Sequence, residues 1–94
     1  MTLDHLPTWL EIDLGAIRHN VQKMHSLTHR PVMAIVKANG YGHGLVEAAR
    51  AAQQAGSPWC GVARIEEDLA VRQAGLTLEF LVLGYAAPAR AAEA

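Results

Sequence analysis

Short apolar runs and helix-forming stretches alternate along most of this chain. The apolar runs cover residues 32–39, 59–63 and 79–83. Their spacing of roughly 20–27 residues suits right-handed crossovers in which a helix joins two parallel strands. The first run is apolar at odd and even positions alike, so both faces of that strand are expected to be covered. The pattern predicts an α/β fold with about three parallel βα units.

A strand and a helix are predicted before the first of these units. Residues 9–13 alternate apolar and polar side chains, which is typical of a half-exposed strand. Asp13 is a suitable N-cap, and apolar residues then recur at three- and four-residue steps over 14–27, which predicts an amphipathic helix.

The later helices have recognisable ends. Helices are predicted over 45–55 and 65–74, with Gly56 and Gly75 placed to end them in left-handed turns. Pro88 is a suitable first residue for one more helix. Negative side chains crowd the first turn of the 65–74 helix, where the helix dipole favours them; these are Glu66, Glu67 and Asp68.

Composition and charge narrow the classes of function. The net charge is −1 and the basic residues are scattered, so no nucleic-acid partner is expected. No apolar run approaches the ~18 residues of a membrane span, and residues 1–7 lack the features of a secretory signal. A cytoplasmic protein that acts on a small molecule is therefore expected. Cys60, the single cysteine, is expected to be a buried core residue, and no metal site is predicted from the histidine spacing.

One lysine stands at the end of the first apolar run, directly before a turn rich in glycine. Lys37 would lose hydration on a central strand, which makes a neutral, nucleophilic amine accessible near neutral pH. Such an amine can condense with the aldehyde of pyridoxal phosphate (PLP), and the backbone N–H groups of the turn and of the helix N-terminus that follows it could hold the phosphate. The simpler interpretation is a strand-end lysine that reaches solvent. Tyr41 could likewise be an ordinary loop aromatic, and a local packing role is expected for His43.

The sequence around this lysine closely resembles the PLP-attachment segment of bacterial alanine racemases. The resemblance is carried by Ala34-Ile35-Val36-Lys37-Ala38-Asn39-Gly40-Tyr41-Gly42-His43-Gly44 and extends to residues 8–20, 62–67 and 81–85. Gly40 stands where that family often has alanine, a change that leaves Tyr41 in register.

The resemblance implies a fold and a set of roles. Residues 1–94 would form the amino-terminal part of a PLP-binding (β/α)8 TIM-type barrel, which needs about 250 residues to close. Lys37 would bind PLP covalently and act as one of two bases, and the Tyr41 hydroxyl would contact the phosphate. The second base, a tyrosine from the partner subunit's carboxyl-terminal domain, and the arginine on the pyridine nitrogen would lie beyond this chain.

The expected activity is interconversion of L-alanine and D-alanine by a homodimer, with the isolated chain inactive because half of the proton relay is missing. Three alternatives remain open at this point. The chain could belong to a racemase for another amino acid such as serine, to a non-catalytic protein that binds or handles PLP, or to a truncated reading frame that binds no ligand.

Overall fold

The computed structural model describes residues 8–93 and contains a three-stranded parallel sheet. The strands are ordered β1-β2-β3, with Met33 opposite Trp59 and Trp59 opposite Glu79. Residues 1–7, on which the prediction of a missing secretory signal rests, lie outside the described residues. The elements in chain order are α1 (Leu14–Thr28), β1 (Met33–Ile35), α2 (Lys37–Tyr41), α3 (Leu45–Gln54), β2 (Trp59–Val62), α4 (Ile65–Gln73), β3 (Glu79–Val82) and a 3-10 helix (Pro88–Glu93).

The predicted helix ends are confirmed. Asp13 caps α1, with its Oδ1 accepting the Ala16 N–H at 3.0 Å. Gly56 and Gly75 follow α3 and α4 with φ of 92° and 86°, a left-handed conformation that glycine adopts without steric cost. Pro88 does begin a helix, but that helix is of the tighter 3-10 type.

The predicted amino-terminal strand over residues 9–13 is wrong. Residues 8–13 form no strand, and Trp9 and Leu10 are exposed. An extended segment becomes a strand only when a neighbouring strand accepts and donates its backbone hydrogen bonds. Residues 14–93 present no such neighbour to this segment, so the alternating pattern alone does not produce a strand.

The strand predicted over residues 32–39 is shorter than expected. It ends at Ile35, and Lys37 begins the helical segment α2 instead of occupying a strand position. The backbone of Val36 leaves the β region at ψ 17°, although its N–H still donates to the Gly61 carbonyl at 2.9 Å. The predicted alternation of side chains therefore does not reach Lys37.

The helices cover one face of the sheet only. The core packs between that face and the helices, and it contains Val36, Ala48, Ala49, Ala52, Cys60, Val62, Val71, Leu76 and Leu78. The second face, which was expected to be covered as well, leaves its large side chains between 38% and 49% exposed; these are Met33, Ile35, Trp59, Leu81 and Leu83. We call these five residues the open face. No helix within residues 8–93 is long and apolar enough to cross a membrane.

Candidate functional site around Lys37

The backbone of α2 turns with a left-handed sense. Ala38, Asn39, Gly40 and Tyr41 have φ of 54°, 56°, 64° and 55°. Only one of these residues is a glycine, and a left-handed conformation costs an ordinary L-residue roughly 1–2 kcal/mol. Three non-glycine residues in a run of four left-handed residues persist only where the surrounding contacts hold them in place.

Most backbone amides of this segment are already hydrogen-bonded within the protein. The N–H groups of Gly40, Gly42, His43 and Gly44 donate to the backbone carbonyls of Val36, Asn39, Gly40 and Asn39, at 2.7 to 3.2 Å. These four donors close the turn and are not free to bind an anion, so the phosphate contacts predicted for the turn and the following helix N-terminus stay a prediction for the other amides. The His43 ring nitrogen Nδ1 lies 2.9 Å from the Gly40 carbonyl oxygen, in keeping with the local role predicted for it.

Glu67 connects α2 to the neighbouring strand and helix. Its Oε2 accepts the Ala38 N–H at 3.0 Å. Its Oε1 accepts the N–H groups of Ala63 at 2.7 Å and Arg64 at 3.1 Å. Sequence reasoning placed Glu67 in the first helical turn but missed its bond to Ala38, because a contact across 29 residues leaves no local signal.

Asn39 supplies the second connection. Its Oδ1 accepts the N–H of Leu45, the first residue of α3, at 2.8 Å. Asparagine tolerates the left-handed conformation better than most residues and is a preferred cap of helix N-termini. This residue was also missed, since it precedes the helix by six positions and only the left-handed turn brings the two together.

Lys37 and Tyr41 form the two ends of α2. Lys37 is half-buried just beyond the carboxyl end of β1, and Tyr41 is 59% exposed. Within residues 8–93, neither the Lys37 ammonium nor the Tyr41 hydroxyl has a hydrogen-bond or ion-pair partner. Both polar groups are therefore available to a ligand. Leu83 and Tyr85, which follow β3, are 49% and 88% exposed and so are not core residues.

A cleft of about 360 Å³ lies beside α2 but does not include either of these side chains. It is lined by Ile12, Leu14, Asn39, Gly42, His43, Gly44 and Glu47. Because Lys37 and Tyr41 are absent from the lining, this cleft is not the place where the amine and the phenol would meet one ligand. The candidate site is therefore identified by Lys37 and Tyr41 on α2, and this cleft does not enclose them.

Known proteins resemble this chain both in sequence and in fold. Residues 12–94 match the family described as alanine racemase, N-terminal domain. An alanine racemase of Symbiobacterium thermophilum is 48% identical over 93 residues, which cover 97% of this chain and 25% of that protein. The crystal structure of alanine racemase from E. faecalis matches with a TM-score of 0.83 and 42% identity, over 92% of this chain and 24% of that one.

A protein named for another substrate has the same fold. Histidine racemase from Leuconostoc mesenteroides matches with a TM-score of 0.76 and 34% identity, over 86% of this chain and 22% of that one. This chain thus spans about a quarter of the length of the relatives that it matches. Its three parallel βα units correspond to the first part of their barrel domain.

Proposed function

The chain belongs to the alanine racemase N-terminal domain family, and on that premise we propose that it supplies the PLP-attachment segment of an enzyme that interconverts L-alanine and D-alanine. The observation that carries the proposal is the position of Lys37, a half-buried residue just beyond the carboxyl end of a parallel strand. Active sites of parallel α/β barrels are built at that end of the strands.

The residues present fit PLP in two respects. Lys37 offers an amine that no carboxylate within residues 8–93 neutralises, as covalent capture of an aldehyde requires. Tyr41 offers an exposed hydroxyl that can donate a hydrogen bond to a phosphate oxygen. PLP, when bound, withdraws electrons from the Cα of an amino acid and so makes its Cα–H bond acidic.

The chain's own residues would then have separate roles. Lys37 would hold the cofactor through Nζ and, once displaced by the amino acid, take or return the proton at Cα on one face. Tyr41 Oη would hold the phosphate and so fix its distance from Lys37 Nζ. Racemisation also needs a base on the opposite face of Cα. Resemblance to the family assigns that base to a partner subunit, so we propose a homodimeric enzyme and an inactive isolated chain.

Reductive trapping tests the role of Lys37. The chain is incubated with PLP, reduced with borohydride and digested, and the modified lysine is located by mass spectrometry. Lys23 on α1 is the other lysine of the sequence and serves as an internal control. We expect modification at Lys37 to exceed that at Lys23 and to disappear in Lys37→Ala. Equal modification of both lysines would contradict the proposal. Tyr41→Phe is expected to weaken capture of PLP but not of pyridoxal, which has no phosphate.

Turnover tests the role of the missing base. With PLP and L-alanine, the 94-residue chain is expected to form no measurable D-alanine. Formation of D-alanine at the rate of an intact racemase would contradict this expectation. Capture of PLP at Lys37 without subsequent exchange by any amino acid would favour the non-catalytic alternative.

The match to a histidine racemase supports a second candidate substrate. Alanine is proposed because the more similar relatives are named alanine racemases. The rates at which alanine, serine and histidine displace captured PLP from Lys37 in this chain would compare these substrates. The cytoplasmic location expected from the sequence stays a prediction.

A further inference from the structure

We infer that Glu67 is a positioning residue for Lys37, because its carboxylate ties the residue that follows the lysine to the carboxyl end of β2. The inference rests on the proposed function in so far as Lys37 captures PLP. Glu67 itself does not contact Lys37 in any hydrogen bond or ion pair; it acts on the lysine through the backbone of Ala38.

The bonding of Glu67 uses both carboxylate oxygens in different directions. Oε2 accepts from Ala38, just beyond the carboxyl end of β1, and Oε1 accepts from Ala63 and Arg64, just beyond the carboxyl end of β2. Hydrogen bonds to an ionised acceptor are roughly twice as strong as those between neutral groups. One side chain therefore fixes the spacing between the carboxyl ends of two neighbouring strands.

The bond to Ala38 falls where the backbone needs support. Ala38 is the first left-handed residue of α2, and it is an alanine, which pays the steric cost of a positive φ in full. Without the acceptor on its N–H, Ala38 is free to relax to an ordinary right-handed or extended conformation. Such a change would rotate the peptide plane between Lys37 and Ala38 and redirect the lysine side chain.

The geometry requires a carboxylate and not merely a polar side chain. Glutamine has the same shape but one acceptor oxygen, so in Glu67→Gln an NH2 group would face a backbone N–H on one side. Glu66 provides a matched control. It is the adjacent glutamate, its side chain is 63% exposed and it pairs with Arg90. Glu66→Gln therefore removes the same negative charge and leaves the hydrogen bonds of Glu67 intact.

The first readout needs no cofactor. Amide hydrogen exchange followed by NMR is expected to show a protected Ala38 N–H in the wild type and in Glu66→Gln. In Glu67→Gln, protection of Ala38 should fall about tenfold or more, while the core helix amides of Ala49 and Ala52 stay as they were. Unchanged protection of Ala38 in Glu67→Gln would overturn the inference.

A second substitution covers the case in which Glu67→Gln does not fold. Glu67→Asp keeps the carboxylate but is one methylene shorter, so protection of the Ala38 N–H is expected to fall while that of Ala49 stays as it was. Unchanged protection of Ala38 in Glu67→Asp would overturn the inference.

The second readout is the reactivity of the lysine. In Glu67→Gln, reductive capture of PLP at Lys37 is expected to slow about tenfold, with capture at Lys23 unchanged and with Glu66→Gln like the wild type. Acetylation of Lys37 relative to Lys23 is measured in parallel without PLP and should change in the same variant. Loss of Ala38 protection with both lysine ratios unaltered would show that Glu67 is only structural. Failure of the wild type to capture PLP would reject the proposed function, while the acetylation ratio would still test Glu67.

Discussion

Asn39 Oδ1 accepts the N–H of Leu45 at 2.8 Å, so a side chain inside α2 caps the first turn of α3. The same residue has φ of 56° and accepts the N–H groups of Gly42 and Gly44 through its backbone carbonyl. Asn39 thus combines two properties that are separable by substitution, namely tolerance of a left-handed backbone and an acceptor on a short side chain.

Substitutions at Asn39 should separate these two contributions. Asn39→Ala loses both and is expected to lower the free energy of unfolding by about 1–3 kcal/mol. Asn39→Gly keeps the backbone tolerance and loses only the cap, so a smaller loss is expected, and Asn39→Asp should be close to the wild type. Urea denaturation followed by circular dichroism measures the three differences. Equal losses for alanine and glycine would show that the left-handed backbone contributes nothing.

The fold was predictable where the signal is local. Asp13, Gly56 and Gly75 mark helix ends through their own side chains or lack of one, and the apolar runs locate all three parallel strands. The errors arise where the structure of a segment depends on contacts with other parts of the chain. The segment over residues 9–13 has a strand pattern but no neighbouring strand among residues 14–93, and β1 stops at Ile35 because the left-handed turn begins soon after it.

Two glycines in the sheet region should respond differently to alanine. A Cβ on Gly84 would lie 2.5 Å from the Ala63 carbonyl oxygen, a backbone atom that cannot move aside. A Cβ on Gly61 would lie 2.6 Å from Ile35 Cδ1, the tip of a side chain on the open face. Gly84→Ala is therefore expected to cost about 1–3 kcal/mol and Gly61→Ala less than that, as measured by urea denaturation. A larger loss for Gly61→Ala would mean that Ile35 is held rigidly.

Lys37 and Tyr41 stand out in the sequence because an amine precedes a glycine-rich turn that contains a phenol, and their role at a PLP site stays a prediction. The contacts that support this segment were not predictable. Which N–H groups of the turn are free was not predictable, because a glycine-rich sequence shows how many N–H groups exist but not which carbonyls already accept them. The role of Glu67 was not predictable for the same reason, since its hydrogen bond to Ala38 depends on the packing of two βα units.

Cys60 should be inert in the folded chain and should make stability depend on pH. Burial raises the pKa of the Cys60 thiol from its ordinary value of 9.0 to about 11. Its contribution to stability is fully present below pH 9.0 and is lost as the pH rises toward about 11, because the unfolded chain releases the proton first. Urea denaturation between pH 8 and 11 should show this decline, and Cys60→Ala should lack that component. Rapid thiol labelling at pH 8 in the absence of urea would contradict the burial.

The open face should drive self-association of the isolated chain. Its five large side chains are 38% to 49% exposed and adjacent on one sheet surface, whereas scattered exposed residues are ordinary. Leu81→Lys places a charge in the middle of this surface and is expected to weaken association about tenfold or more in sedimentation equilibrium. Leu27→Lys, on a residue of α1 that is 67% exposed, is the matched control and should leave association unchanged.

The sheet also has two edge strands, β1 and β3, which offer unpaired backbone groups. Association that persists in Leu81→Lys would assign it to these edges, because a charge on the face does not block backbone pairing at an edge.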